Sequence, residues 1–150
     1  MLVEISAFLE AFAMDFLVLA LQEITDGEVQ DGQSDMIPIP KLDATLLLGK
    51  PRGCFRPVGL LIDDQVCTVS SKVKVGRSHL LTLLQFEGWE AHICMASIHF
   101  PHSHRPFEDF QAAVESLHAD LQASVSRELP IVILGDFNVC LLQECCWGMG

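Results

Sequence analysis

Basic residues are scarce in this chain: nine Lys and Arg stand against 20 Asp and Glu, for a formal net charge of −11 over 150 residues. Such a balance argues against binding polyanions through overall charge and disfavours nucleic acid as a bulk electrostatic partner. It leaves room for a local basic groove or for a phosphate contact bridged by a metal. A cysteine framework is missing too. The six cysteines, at positions 54, 67, 94, 140, 145 and 146, form no C-x2-C pair with a second pair to complete it. Cys67 and Cys94 fall in apolar, strand-like runs, where a thiol behaves as a small hydrophobe. Reduced thiols and an intracellular setting, cytoplasmic or nuclear, are the expectation. Long uncharged runs are absent as well. Glu4, Glu10 and Asp15 interrupt the apolar opening, and its longest uncharged run, residues 16–22, falls far short of the roughly 20 residues that a membrane span needs. No basic residue precedes that opening, so it does not have the form of a signal peptide. The chain shows no internal repeat and no low-complexity tract.

Half of the chain is hydrophobic, and its length suits one domain with a single core. Leu2, Ile5, Leu9 and Phe12 recur at helical spacing and predict an amphipathic helix over residues 2–13. "FLVLALQE" follows as a short, continuously apolar strand. Residues 24–42 are polar, acidic and broken by Gly27, Gly32, Pro38 and Pro40, which predicts a long loop. "KPRGCFRP" gathers Lys50, Arg52 and Arg56 ahead of the strand "VGLLI". "VCTVSSKVKV" continues with partial alternation; its Lys72 and Lys74, with Arg77 just beyond, could touch a phosphate backbone, but a solvated strand face is the expectation. "HLLTLLQF" and "EAHICMASIHF", joined by "EGW", predict two strands around a tight turn. After Pro106, acidic Glu108 and Asp109 favour a helix start, and Phe110, Val114, Leu117 and Leu121 form its apolar stripe. "PIVIL" is then expected as a buried strand. Hairpins together with helix–strand alternation predict a mixed α/β fold of the α+β type, a sheet layered against helices.

Three of these strands end in polar groups. The first closes on Gln22 and Glu23, the second on Ser97 and His99, the third on Asp136 and Asn138. If the ends converge, two carboxylates, an imidazole and a carboxamide meet at one sheet rim. Oxygen donors of that kind suit Mg²⁺ or Mn²⁺, with water and a substrate phosphate completing the shell. His99, His102 and His104 fit no helical H-x3-H pattern, and Pro101 breaks the segment, so a loop lining the site is expected there instead of a zinc centre.

"FLVLALQE", "ASIHFPHS" and "PIVILGDFNV" together resemble three successive motifs of the endonuclease/exonuclease/phosphatase superfamily, most like its exonuclease III-like and non-LTR retrotransposon endonuclease members. The resemblance implies a partial four-layer α/β sandwich over residues 1–139, with residues 140–150 a tail of unclear origin. It implies a phosphodiester or phosphomonoester hydrolase, most like a nuclease, using Mg²⁺ or Mn²⁺ on a phosphoester substrate such as DNA or RNA. Glu23 matches the family's metal-binding glutamate. Asp136 matches the aspartate that orients or activates the attacking water. Asn138 matches the phosphate-binding asparagine, and His99 stands where a histidine or tyrosine contacts the scissile phosphate. His102 is a further substrate contact by the same likeness.

The departures matter as much. The family's first-strand asparagine and its terminal Ser-Asp-His have no counterpart here, so the chain is expected to be such a domain truncated at both ends. Exposed sheet edges would then favour association. The alternative function is a catalytically inactive fragment or binding remnant of the scaffold. A third reading is an unrelated α/β domain in which "GDFN" is only a strand-to-turn junction.

Overall fold

The computed structural model describes residues 7, 17–24, 29–52, 56–71, 73–102, 104–124 and 128–138. The helix expected over residues 2–13 lies outside them apart from Ala7, which is helical, and so does the tail at 140–150.

Two sheets carry the fold. In the first, β1 (Val18–Leu21), β4 (Val58–Asp63), β3 (Ala44–Gly49) and β2 (Ser34–Ile39) lie side by side in that order, all antiparallel. In the second, the order is β5 (Cys67–Val69), β7 (His79–Phe86), β8 (His92–His99) and β9 (Ile131–Asp136), with β6 (Lys74–Val75) also paired to β7. Only β8 and β9 run parallel, and the helix α1 (Phe107–Ser124) makes the crossover between them.

Period-two alternation sorts the side chains. Leu47, Val58, Leu60 and Ile62 of the first sheet meet Leu80, Leu84, Ile93 and Met95 of the second in a dry interface. The intervening residues of β7 and β8, among them Leu81, Cys94, Ala96 and Ile98, turn the other way onto Ala113 and Leu117 of α1. Leu46, Leu48 and Leu61 point away from the sheet interface and cluster with Ile24 and Ala44. The molecule is thus an α+β sandwich, and among the described residues its layers are helix, sheet and sheet. Within this packing Cys67 and Cys94 are buried free thiols. Burial, aided at Cys67 by Asp64 and Asp63, pushes both up to about 11, so both stay protonated at neutral pH. No helix among the described residues is long and apolar enough to cross a membrane.

Four expectations change. The loop over 24–42 contains β2 and a 3-10 turn at Pro40–Leu42, and the neighbouring "ATLLLG" forms β3. β2 is an outer strand, exposed at four of its six positions, so little apolar pattern marks it. Proline is tolerated at such an edge, which accommodates Pro38. "VCTVSSKVKV" is two short strands, because Ser71 bonds back to β7, its Oγ accepting the Leu83 N–H at 3.0 Å. "PIVIL" is an edge strand: its one described partner is β8, and Ile131 and Val132 are 47% and 37% exposed. In α1, Ala113 takes the buried place that the stripe gave to Val114, which is 39% exposed; the core-facing arc centres on Leu117, and Val114 lies at its margin.

Candidate metal and phosphate site

The strand ends put several of the expected residues at one rim. Gln22 closes β1, and its Nε2 donates to Ser97 Oγ at 3.4 Å, linking the two sheets. Ile24 is buried, and its N–H donates to the Pro57 carbonyl at 3.1 Å. Between these anchors Glu23 adopts a left-handed φ of 52°. That is a costly conformation for a non-glycine residue, and here it turns the carboxylate outward while Ile24 stays in the core.

His99 ends β8, held by its N–H donating to the Ser78 carbonyl at 2.9 Å. Its Nε2 lies 3.9 Å from Glu23 Oε1, while Arg56 approaches the other oxygen at 3.7 Å. The His102 ring stands edge-on to His99 with centroids 5.9 Å apart and stacks on His104 at 5.3 Å. Donor atoms of Glu23, His99 and His102 all fall within 4.8 Å of one another. His102 therefore joins Glu23 and His99, and His104 serves as its stacking partner.

Asp136 and Asn138 sit beside this group and do not line its cleft. Asp136 pairs in register with His99 across the parallel β8–β9 ladder, one strand spacing away and on the same face. Its Oδ1 accepts the Asn138 N–H at 2.8 Å, and Asn138 Nδ2 donates to the Phe100 carbonyl at 2.6 Å. Both side chains thus close the end of β9 onto β8. Gly135 makes this possible: its φ is +132°, and a Cβ there would lie 2.1 Å from the Ile98 carbonyl oxygen. Glu23 and His99 thus line the cleft, whereas Asp136 and Asn138 lie beside it.

The cleft in front of the Glu23–His99–His102 group measures about 740 Å³. Lys50, Arg52, Arg56, Arg77 and Arg105 line it, five of the nine basic residues in the chain. Three carboxylates oppose them. Asp31 pairs with Lys50 at 3.1 Å, Asp109 with Arg77 at 3.5 Å and Arg105 at 3.8 Å, and Glu23 with Arg56. Arg52 makes no ion pair among the described residues, and its guanidinium packs over Gly32, where a Cβ would meet Nε at 2.8 Å. The cleft wall is thus locally cationic on an acidic chain, the form that attracts a phosphate. The sequence marks Lys50, Arg52 and Arg56 as a cluster and offers Arg77 either as a phosphate contact or on a solvated strand face; it gives no sign of Arg105. Lys74 bonds Asp120 at 2.8 Å while its side chain stays 42% exposed.

The resemblance implies Mg²⁺ or Mn²⁺. Mg²⁺ demands near-octahedral oxygen coordination, whereas this group supplies one carboxylate and two imidazoles. The donor set fits a divalent ion that accepts imidazole and fits Mg²⁺ poorly.

No family model and no curated protein matches the chain. Among solved structures, the human Nocturnin catalytic domain with a bound sulfate anion superposes with a TM-score of 0.58 at 18% sequence identity. The match covers 93% of this chain and 56% of that one, so the chain spans little more than half of the domain it resembles. At that identity the likeness shows the fold alone, an α+β sandwich like that of the Nocturnin catalytic domain.

Proposed function

We propose that this chain carries the substrate-holding half of a divalent-metal-dependent phosphoester hydrolase, nuclease-like in its choice of substrate. The observation that carries the reading is the convergence of Glu23, His99 and His102 at the floor of a cleft walled by five cations. Lys50, Arg52 and Arg77 would hold phosphate oxygens, with arginine able to do so in bidentate fashion. His99 would contact the scissile phosphate, and Asn138, tied to the Phe100 carbonyl, would fix the backbone beside it. Asp136, one strand away from His99, would orient the attacking water through its second carboxylate oxygen. A divalent ion at Glu23 would neutralise charge on the phosphoryl oxygen.

The second reading is a binding scaffold without turnover. The position of Asp136 favours it, since one of its carboxylate oxygens caps its own turn and the residue is not among those lining the cleft. Hydrolysis of a plasmid and of a small phosphodiester, with the divalent ions varied, separates the two. Activity that disappears in Asp136→Ala and Glu23→Gln supports the hydrolase. Background rates that are the same in all three samples leave only phosphate binding.

A further inference from the structure

We propose that Glu23, His99 and His102 form a three-ligand site for a zinc-class divalent ion and discriminate against Mg²⁺. The inference refines the hydrolase reading above, and its catalytic meaning rests on that reading; the binding claim does not. Two imidazoles and one carboxylate with an open fourth position are the donor set of many catalytic zinc sites, whereas Mg²⁺ gives up its water reluctantly and prefers oxygen.

The geometry is close to what such an ion needs. Ligand atoms about 2.0–2.1 Å from zinc lie about 3.3 Å from each other in a tetrahedron. The donor atoms here lie within 4.8 Å, and the Glu23–His99 pair at 3.9 Å. Glu23 and His102 are exposed and His99 is half-buried, so small rotations of the two outer side chains close the gap around a fixed inner one. His99 is set by the end of β8, and His102 is steadied by stacking on His104. The fourth position would face the cationic cleft wall, where a water or a phosphate oxygen completes the shell. Pro101 is part of the device: it follows the end of the strand at His99, so the His102 ring meets the His99 ring edge-on at a corner instead of lying on the opposite sheet face.

The test is metal titration of the chelator-stripped full chain by calorimetry and by competition with a chromogenic chelator. One Zn²⁺ is expected to bind, and millimolar Mg²⁺ should not displace it. Glu23→Gln and His102→Gln, both at exposed positions, should weaken it at least as much as loss of an outer-shell partner does, on the order of tenfold to a hundredfold. Co²⁺ serves as the spectroscopic check, because binding through the chain's cysteines would produce intense thiolate charge-transfer absorption that a Glu–His–His site lacks. Equal Zn²⁺ affinity in the variants, a thiolate band, or displacement by Mg²⁺ would overturn the proposal. Phosphodiester hydrolysis on the same samples keeps the two ideas apart. Zn²⁺ bound by these residues without turnover removes the hydrolase and keeps the site. Turnover that needs Mg²⁺ and ignores His102→Gln does the reverse.

Discussion

Two carboxylate–imidazole groups sit at the same end of the β7–β8 ladder and have opposite characters. His79, the first residue of β7, is fully buried, and its Nε2 lies 3.0 Å from Asp120 of α1. The other Asp120 oxygen takes Lys74 at 2.8 Å. Gly76 lies so close to the ring that a Cβ there would sit 2.0 Å from His79 Cε1. His99, the last residue of β8, instead opens onto the cleft with Glu23, whose side chain is 54% exposed. The first group is closed by its own partners, and its unbonded His79 Nδ1 makes the neutral ring, donating through Nε2, the favoured form. The second holds a carboxylate and two rings with donor atoms within 4.8 Å of one another, Glu23 and His99 at 3.9 Å, close enough for a cation between them. The same residue types thus make a structural clamp where packing leaves no space and a ligand site where it leaves a cleft.

The largest test of this contrast is stability. His79→Ala empties a filled site and removes the ring partner of one Asp120 oxygen, the other staying with Lys74, so a loss of about 3 kcal/mol is expected, mostly from the cavity. His102→Gln, on the exposed loop, should stay within about 0.5 kcal/mol. Urea unfolding of the two variants at pH 7.5 measures both, and comparable losses would end the distinction between clamp and site.

A pH dependence should follow from the same clamp. Burial holds His79 below its ordinary value of 6.5, with Lys74 adding to the shift and Asp120 opposing it. The unfolded chain therefore takes up the proton first. The stability of the neutral clamp is fully present above pH 6.5 and is lost as the pH falls from there through the folded-state value. The slope cannot exceed about 1.4 kcal/mol per pH unit for one group. Unfolding midpoints measured from pH 7.5 downward should show that slope in the wild type, and His79→Ala should flatten it. A slope unchanged in the variant would assign the effect to other groups.

How much of this the residues disclose depends on how local the signal is. The β7–β8 hairpin and α1 are legible because each carries its own period and its own turn. β3 is not: Leu46 and Leu48 face one way and Leu47 the other, all buried, so no alternation marks it. Glu23 and His99 stand out because a polar group directly after an apolar strand is a local event. Beyond the Lys50–Arg52–Arg56 cluster, the assembly of the cleft wall is invisible for the opposite reason. Asp31, Lys50, Arg77 and Arg105 come from four separated segments, and only the stacking of the two sheets against α1 gathers them. The His79–Asp120 pair spans 41 positions, and nothing in either segment announces the other. Asp136 is the instructive case. Its place beside His99 is implied by the strand-end pattern, yet its carboxylate turns to Asn138 because the chain leaves β9 through a left-handed Asn138, with φ 51°.

The smallest expected effect probes how open the second group is. Arg56 holds its guanidinium 3.7 Å from Glu23, and both side chains are 54% exposed. An ion pair this wet contributes little to folding, so Arg56→Ala should change stability by less than about 0.5 kcal/mol. It should nevertheless change ligand binding, because a cation beside the carboxylate competes with any metal placed there. In a water-like dielectric the repulsion between a unit charge and a dication about 4 Å apart is about 2 kcal/mol before screening and side-chain movement reduce it, so Zn²⁺ should bind several-fold tighter to Arg56→Ala at low salt. Raising the salt to about 1 M shortens the screening length to about 3 Å, and the gain should vanish. Lys74→Ala supplies the contrast: its partner Asp120 belongs to the closed clamp, so Zn²⁺ affinity should not move at either salt concentration. A salt-insensitive gain in Arg56→Ala would mean that the arginine acts by blocking the site sterically, and a gain in Lys74→Ala would mean that the two groups are electrostatically one.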